Sequence, residues 1–290
     1  VKPRVIVVAS DQHCGSTLGL CTPEGVQVDN ENWFKPGPAL LHLWSQHGNF
    51  VDDASRIVTE WRKKGATAHY VNLGDLTDGD HHHTHQIVNR DQGTHIAAAR
   101  NVLKDGFLRL DFDTVHFVMG TPAHVGVGGG LEKSIASDIS GDYPVVRHPR
   151  LGTTLWPELE MDLGAYRFDF KHHGRTGTRE HTRKSYLALY AHDIHTAYLS
   201  DGRRPPDVAV RAHNHKIGDS GPDPKARTRV CATGCWQYSS EWVKSKAIES
   251  RPDFGGWVFV VTDDMRDPYD LWARRFSYHH PDSESEVWAP

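Results

Sequence analysis

The sequence predicts an α/β fold: a four-layer α/β/β/α sandwich in which two mixed β-sheets lie at the centre and helices cover them. Three observations predict it. Strand–loop–helix units fill the first half of the chain, and mostly strands fill the second. Several of those strands run directly into clusters of Asp and His. Residues 1–280 read as a single domain, and 281–290 as a loose C-terminal tail.

The elements follow from local pattern. Val5 to Ala9 is a β-branched run that stops at Ser10-Asp11, as a buried strand ending in a loop does. Residues 12–52, rich in Gly, Pro, Asn and Trp, read as an irregular insertion that could cover a substrate. Asp53 to Lys64 carries Ala54, Ile57, Val58 and Trp61 at helical spacing, with Gly65 as the stop. Thr67 to Leu73 is a strand running into Gly74-Asp75, and Thr94 to Leu110 a helix. Thr114 to Met119 is a strand running into Gly120, and Leu131 to Ile139 a short helix. Leu159 to Leu163 and Tyr166 to Phe170 form a hairpin around Gly164. Arg183 to Leu199 is helical, and Val208 to Arg211 is a strand entering Ala212-His213-Asn214-His215. Thr228 to Thr233, Gly256 to Val261 and Leu271 to Phe276 are the last strands, and Gly218 to Lys225 is a loop.

Composition narrows the function classes. The 290 residues hold 33 Lys+Arg and 37 Asp+Glu, a formal charge of -4. Nine Trp, nine Tyr and ten Phe are too many large apolar groups for a solvated coil. Mean hydropathy is -0.57 and no apolar run is long enough to span a bilayer, so no membrane partner is expected. The first ten residues lack a signal-peptide layout, which makes the cytoplasm the expected compartment. Cys14, Cys21, Cys231 and Cys235 are too few for a disulfide scaffold, and the last two read as small buried residues of one strand. The 21 histidines point toward metal chemistry. No His-Glu-x-x-His occurs, which argues against a zinc peptidase, and the glycines of Gly126 to Gly130 lack the phosphate-cradling pattern and read as a turn.

The chemistry lies at the strand ends. Asp11-x-His13, Gly74-Asp75 and Gly120-Thr121-Pro122-Ala123-His124 follow three strands, and Lys171-His172-His173-Gly174 and Ala212-His213-Asn214-His215 follow two more. The crevice outside the carboxyl ends of strands is where α/β sheets bind ligands. Two residues spaced i, i+2 share one side of an extended backbone, which pairs Asp11 with His13 and His213 with His215. Two divalent cations ~3.5–4 Å apart need a shared carboxylate and imidazole or oxygen ligands on each side.

This ordered set resembles the signature of the calcineurin-like metallophosphoesterases, and residues 4–216 are similar to a divergent member of that superfamily. The resemblance implies the metallo-dependent phosphatase fold. It further implies two divalent metal ions (manganese, iron or zinc) and attack of a metal-bridging hydroxide on a phosphodiester or phosphomonoester. By the same resemblance Asp11 and His13 hold metal one with His215, and Asp75 bridges. His173 and His213 hold metal two, with His172 the fallback for His173, and Asp78 stabilises its loop. Two departures stand out. Ala212 replaces the family's Gly, which is tolerable if the backbone there avoids positive φ. Thr121 stands where the family has a metal-binding Asn, and His124, two residues late, is the expected phosphate-contacting acid, protonated to assist the leaving oxygen.

Nucleic acid, nucleotide or phosphoprotein would be the substrate, a nuclease among the options, although the acidic balance does not suggest strong duplex binding. The alternative is a catalytically impaired relative that binds a phosphorylated ligand or nucleic acid. His81, His82, His83 and His85 read either as a solvated loop or as an active-site wall. Trp33, Phe34 and Trp44 read as packing or as base-stacking groups, and Glu132 as a favourable charge at a helix start.

Overall fold

Val5 to Ala9 are fully buried on both faces, the pattern of a central strand in a covered sheet. The computed structural model describes residues 2–81, 84–177, 179–223, 226–245, 251–262, 264 and 270–280. The expected tail 281–290, His82 and His83, and the end of the Gly218 to Lys225 loop lie outside them. The chain begins with β1 (Arg4–Ala9), the short β2 (Val26–Gln27) and β3 (Trp33–Phe34), α1 (Pro38–Arg62), β4 (Thr67–Asn72) and α2 (Gln92–Asp105). Next come β5 (Thr114–Val118), α3 (Pro122–Val125), α4 (Gly130–Ile139), β6 (Leu155–Trp156), β7 (Leu159–Leu163) and β8 (Tyr166–Lys171). Then follow α5 (Glu180–Ser200), β9 (Val208–Arg211), β10 (Gly218–Asp219), β11 (Arg229–Ala232), α6 (Glu241–Ser245), β12 (Phe254–Val261) and β13 (Trp272–Tyr278).

Two sheets result. One has the order β13-β12-β1-β4-β5-β6 and the other β10-β11-β9-β8-β7. Within them β1, β4, β5 and β6 run parallel, as do β8, β9 and β11, and the remaining pairings are antiparallel. The sheets face each other through Ile6, Val8, Val71, Leu73 and Val118 on one side and Phe168, Phe170, Val208 and Val210 on the other. On the outer face of the first sheet, α1, α2 and α4 bury Leu43, Phe50, Val102 and Ile135 against Val5, Val7, Tyr70 and Phe117. On the outer face of the second, α5 buries Leu187, Ala191, Ile194 and Tyr198 against Ala209, Val230 and Ala232. Successive spacings of four, three and four put those α5 residues on one helical face. These are the four layers the sequence predicted.

The stretch 12–52 differs from its sequence reading. Its second part is the first half of α1, whose 25 residues begin with Pro38 at the first turn. Ala39, Leu40, Leu43, His47, Phe50 and Val51 are buried at helical spacing, but His47, Gly48 and Asn49 blur the apolar stripe. Trp44 packs on His47 with ring centroids 5.5 Å apart, whereas Trp33 is exposed. The cysteine pair also splits. Cys231 lies in β11, Cys235 lies beyond its end, and both are buried.

Candidate metal centre

The three parallel strands β1, β4 and β5 and the parallel pair β8 and β9 end at one edge of the sandwich. Backbone hydrogen bonds carry the register past the strand ends. Asp11 N donates to Gly74 O (2.9 Å), His13 N to Asp75 O (3.0 Å) and Ala212 N to His172 O (2.9 Å). Among the described residues, the non-glycine positions with positive φ are Asp11 (53°), His13 (48°), Asp75 (51°), His213 (71°) and His215 (53°). All five are left-handed, a conformation costing ~1–3 kcal/mol at a non-glycine residue and kept only where the surroundings impose it. The i, i+2 pairs therefore share a direction through left-handed kinks just beyond the strands and not through strand alternation. Ala212 itself avoids positive φ; the turn falls one residue later, on His213. The tips also meet without room to spare: a Cβ on Gly120 would lie 2.3 Å from Asp75 N and Oδ1.

Side chains gather in two overlapping groups. In the first, Asp11 Oδ1 lies 3.3 Å from His215 Nε2 and 3.9 Å from His13 Nε2. The two imidazole Nε2 atoms are 3.1 Å apart. His13 Nδ1 donates to Asp78 Oδ1 (2.8 Å), which fixes the tautomer and turns the Nε2 lone pair to the centre. Gln237 Nε2 donates to the same Asp78 oxygen (3.1 Å). In the second group, His172 Nε2 lies 2.9 Å from Asp75 Oδ2 and His213 Nδ1 4.0 Å from it. Thr121 Oγ1 donates to Asp75 Oδ2 (3.0 Å) and sits 3.1 Å from His213 Nδ1, while Thr121 N donates to Asp75 Oδ1 (2.6 Å). Asp11, Asp75 and His172 also form a set of their own, with ligand atoms within 4.8 Å of one another.

Electrostatics favour charge here despite burial. Burial alone would raise the Asp11 carboxyl, but His215 beside it and the charge of His172 bring it down to about 2. Burial likewise opposes ionisation of Asp75 and Asp78. His172 holds Asp75 well below the carboxylate range, and His13 and His81 do so for Asp78. Burial works against a charged His172, yet Asp75 raises it to about 9. His124 goes the other way, pushed down to about 4 by burial and by His13 beside it. Its Nδ1 donates to the Asp78 carbonyl (2.9 Å), so Nε2 carries a lone pair.

All the sequence-derived site residues reach this edge. His172, the fallback, is buried against Asp75, while His173 is exposed and stacks edge-on against His213 with ring centroids 4.6 Å apart. His81 lines the same cleft and packs on His124 at 4.4 Å. Sequence reading did not give Glu132 its place. Its buried carboxylate accepts from Leu76 N (3.1 Å) and Gly120 N (2.9 Å), joining the two strand ends that carry Asp75 and Thr121. Burial and the Asp75 charge raise it to about 7. The signal was available, because Glu132, Ile135, Ala136 and Ile139 share the buried face of α4.

The donor set fits divalent cations. Asp11 Oδ1 is buried, accepts no hydrogen bond among the described residues and faces two imidazole nitrogens. Mixed carboxylate and imidazole ligation suits manganese, iron or zinc.

Four layers and five ligand-bearing strand ends at one edge are the arrangement that the resemblance to calcineurin-like metallophosphoesterases implies. Solved structures align with the chain at low identity. Vps29 from Entamoeba histolytica is 10% identical over 95% of this chain and 99% of its own, with a TM-score of 0.37. A predicted phosphoesterase from Streptococcus pneumoniae is 10% identical over 96% and 99%, at 0.33. A 5'-nucleotidase from Candida albicans is 11% identical over 94% of this chain and 50% of its own, at 0.40. No family model and no curated protein matches the sequence.

Proposed function

We propose that the chain is a metal-dependent phosphoric ester hydrolase that holds two divalent cations. One observation carries the reading. The five non-glycine residues that accept left-handed backbone strain among those described are Asp11, His13, Asp75, His213 and His215, and they converge on one another. Asp11, His13 and His215 would hold one cation and His172 and His213 the other, with Asp75 shared and Thr121 supplying a hydroxyl. His172 is preferred to His173 because its Nε2 already faces Asp75 and its Nδ1 donates to Leu73 O (2.7 Å). When bound, the cations supply positive charge for a phosphoryl group and a more acidic water.

The chain's own groups do the rest. Asp78 orients His13. Glu132 fixes the spacing of the Asp75 and Thr121 strand ends. His124 keeps its Nε2 lone pair at the cleft, where it accepts a hydrogen bond or a proton; assisting a leaving oxygen requires that it first take one up. The test is elemental analysis of purified protein with hydrolysis of bis-p-nitrophenyl and p-nitrophenyl phosphate under added manganese. Bound transition metal and turnover lost on chelation and restored by manganese are expected. Metal-loaded protein that cleaves neither ester would replace this reading with the phosphoryl-binding one, which Thr121 in place of Asn favours.

A further inference from the structure

His215 is one of the five residues held in left-handed backbone, and such a turn survives only where neighbouring groups impose it. Asp253, the residue before β12, supplies that restraint. Asp253 N donates to His215 O (2.9 Å), and Cys235 N donates to Asp253 O (2.9 Å). The next residue, Trp236, donates through its N to Asp11 O (2.8 Å). The Asp253 backbone is therefore a strap between the turn that carries His215 and the segment that holds Asp11. Those two residues face each other, with Asp11 Oδ1 3.3 Å from His215 Nε2. The strap has no slack, because a Cβ on Gly234 would lie 2.2 Å from Asp253 O.

A strap orients a side chain only if it is itself fixed, and the Asp253 carboxylate fixes it. Asp253 Oδ2 accepts from Ile217 N (2.9 Å) and from Arg183 Nη1 (3.1 Å). Arg183 Nη1 also donates to Ile217 O (3.0 Å). Asp253 thus grips residue 215 through its own N–H and residue 217 through its carboxylate. Arg183 stands near the start of α5 and reaches this turn over β10. A Cβ on Gly218 would lie 3.2 Å from Arg183 Cδ and 2.5 Å from Leu187 Cδ1, so the glycine leaves room for that path. Helix α5 covers the second sheet and β12 belongs to the first. The pair therefore ties an outer layer to the opposite sheet at the edge where the ligands gather. The Asp253 side chain is 30% exposed, a setting in which an ion pair adds little to overall stability. What the pair supplies is direction.

We propose that Asp253 and Arg183 are positioning residues that keep His215 turned toward Asp11 and so set the affinity of the cation held by Asp11, His13 and His215. The proposal rests on the two-cation reading above and adds to it two residues that lie outside the ligand-bearing strand ends.

The test titrates the metal-free full chain with cobalt(II) against a metallochromic dye and follows the visible absorption of the bound cobalt. His215→Ala marks which of the two affinities belongs to the Asp11 set. Asp253→Ala is expected to weaken that affinity about tenfold and to shift its absorption band, with the other affinity little changed. Asp253→Asn, whose amide oxygen accepts both bonds of Oδ2, is expected to restore most of the affinity. Arg183→Met keeps the apolar stem and loses the donor. A smaller loss at the same site is expected from it, and no further loss when it is combined with Asp253→Ala. Should Asp253→Ala fail to fold, Arg183→Met decides by the same readouts. Both affinities falling together, or neither changing while the melting temperature drops, would overturn the positioning role and leave the hydrolase standing. The expected cobalt response in a protein that cleaves neither phosphate ester would keep the positioning role and remove the hydrolase.

Discussion

The two halves of the candidate metal centre are built differently. Asp11, His13 and Asp78 are nearly inaccessible, and His13 is backed by a carboxylate that a glutamine also grips. In the Asp75 half, His213 is 40% exposed and the Thr121 hydroxyl lies 3.1 Å from its Nδ1, where the proposed reading needs a neutral ligand. One half has its orientation imposed from outside the ligand set, and the other leaves one imidazole in solvent. A rigid, fully backed set binds the tighter cation, and an open set with a weak neutral ligand exchanges its cation more readily. The comparison therefore predicts two unequal affinities.

The largest expected effect breaks the comparison outright. Asp75→Ala removes the carboxylate common to both halves, and turnover of a chromogenic ester should fall by about three orders of magnitude. Next, Asp78→Ala strips the backing from His13 and should make the closed half resemble the open one. Competition against a metallochromic dye should show its affinity lowered about 10–100-fold, with the weaker site little changed. Thr121→Asn acts in the other direction, exchanging a hydroxyl for an amide oxygen. The weaker affinity in the same assay should tighten by up to about tenfold, narrowing the difference.

The smallest effect concerns the foundation of the closed half. Trp236 N donates to Asp11 O (2.8 Å), and His47 packs edge-on against the Trp236 ring at 4.9 Å. Burial lowers the His47 imidazole to about 3, with Arg109 adding to it. Its folded-state value lies below that of the unfolded chain, so the unfolded chain takes up the proton first. The contribution is complete above ~pH 6.5 and is lost progressively as the pH falls below that, toward the folded-state value. Denaturant melts of His47→Phe against the parent should show a shallower pH slope in the variant and no change in slope above neutrality.

Much of this was legible in the sequence, because each strand end is announced by a β-branched or apolar run that stops at a polar residue. Val5 to Ala9 before Asp11 and Val208 to Val210 before His213 leave little choice of register. The motif put His173 first and His172 second, whereas alternation favours the proposed His172: Tyr166, Phe168 and Phe170 are buried, and His172 continues that face. The start of α1 was hidden because its stripe runs through His47, a polar residue serving as a core one. The left-handed conformations at Asp11, His13, Asp75, His213 and His215 had no sequence mark at all, since glycine, the usual sign of such a turn, is absent from those positions.

That last feature sets durability against activity. A glycine at position 213 would adopt the φ of 71° without penalty, and position 213 is open enough to lose its ring without leaving a void. His213→Gly is therefore expected to melt no lower than the parent in metal-free buffer, and His213→Ala, which keeps the penalty, to melt below the glycine variant by a few degrees. Selection for thermal robustness alone would erode this edge of the molecule, and only a demand for what the imidazole does would keep it in place.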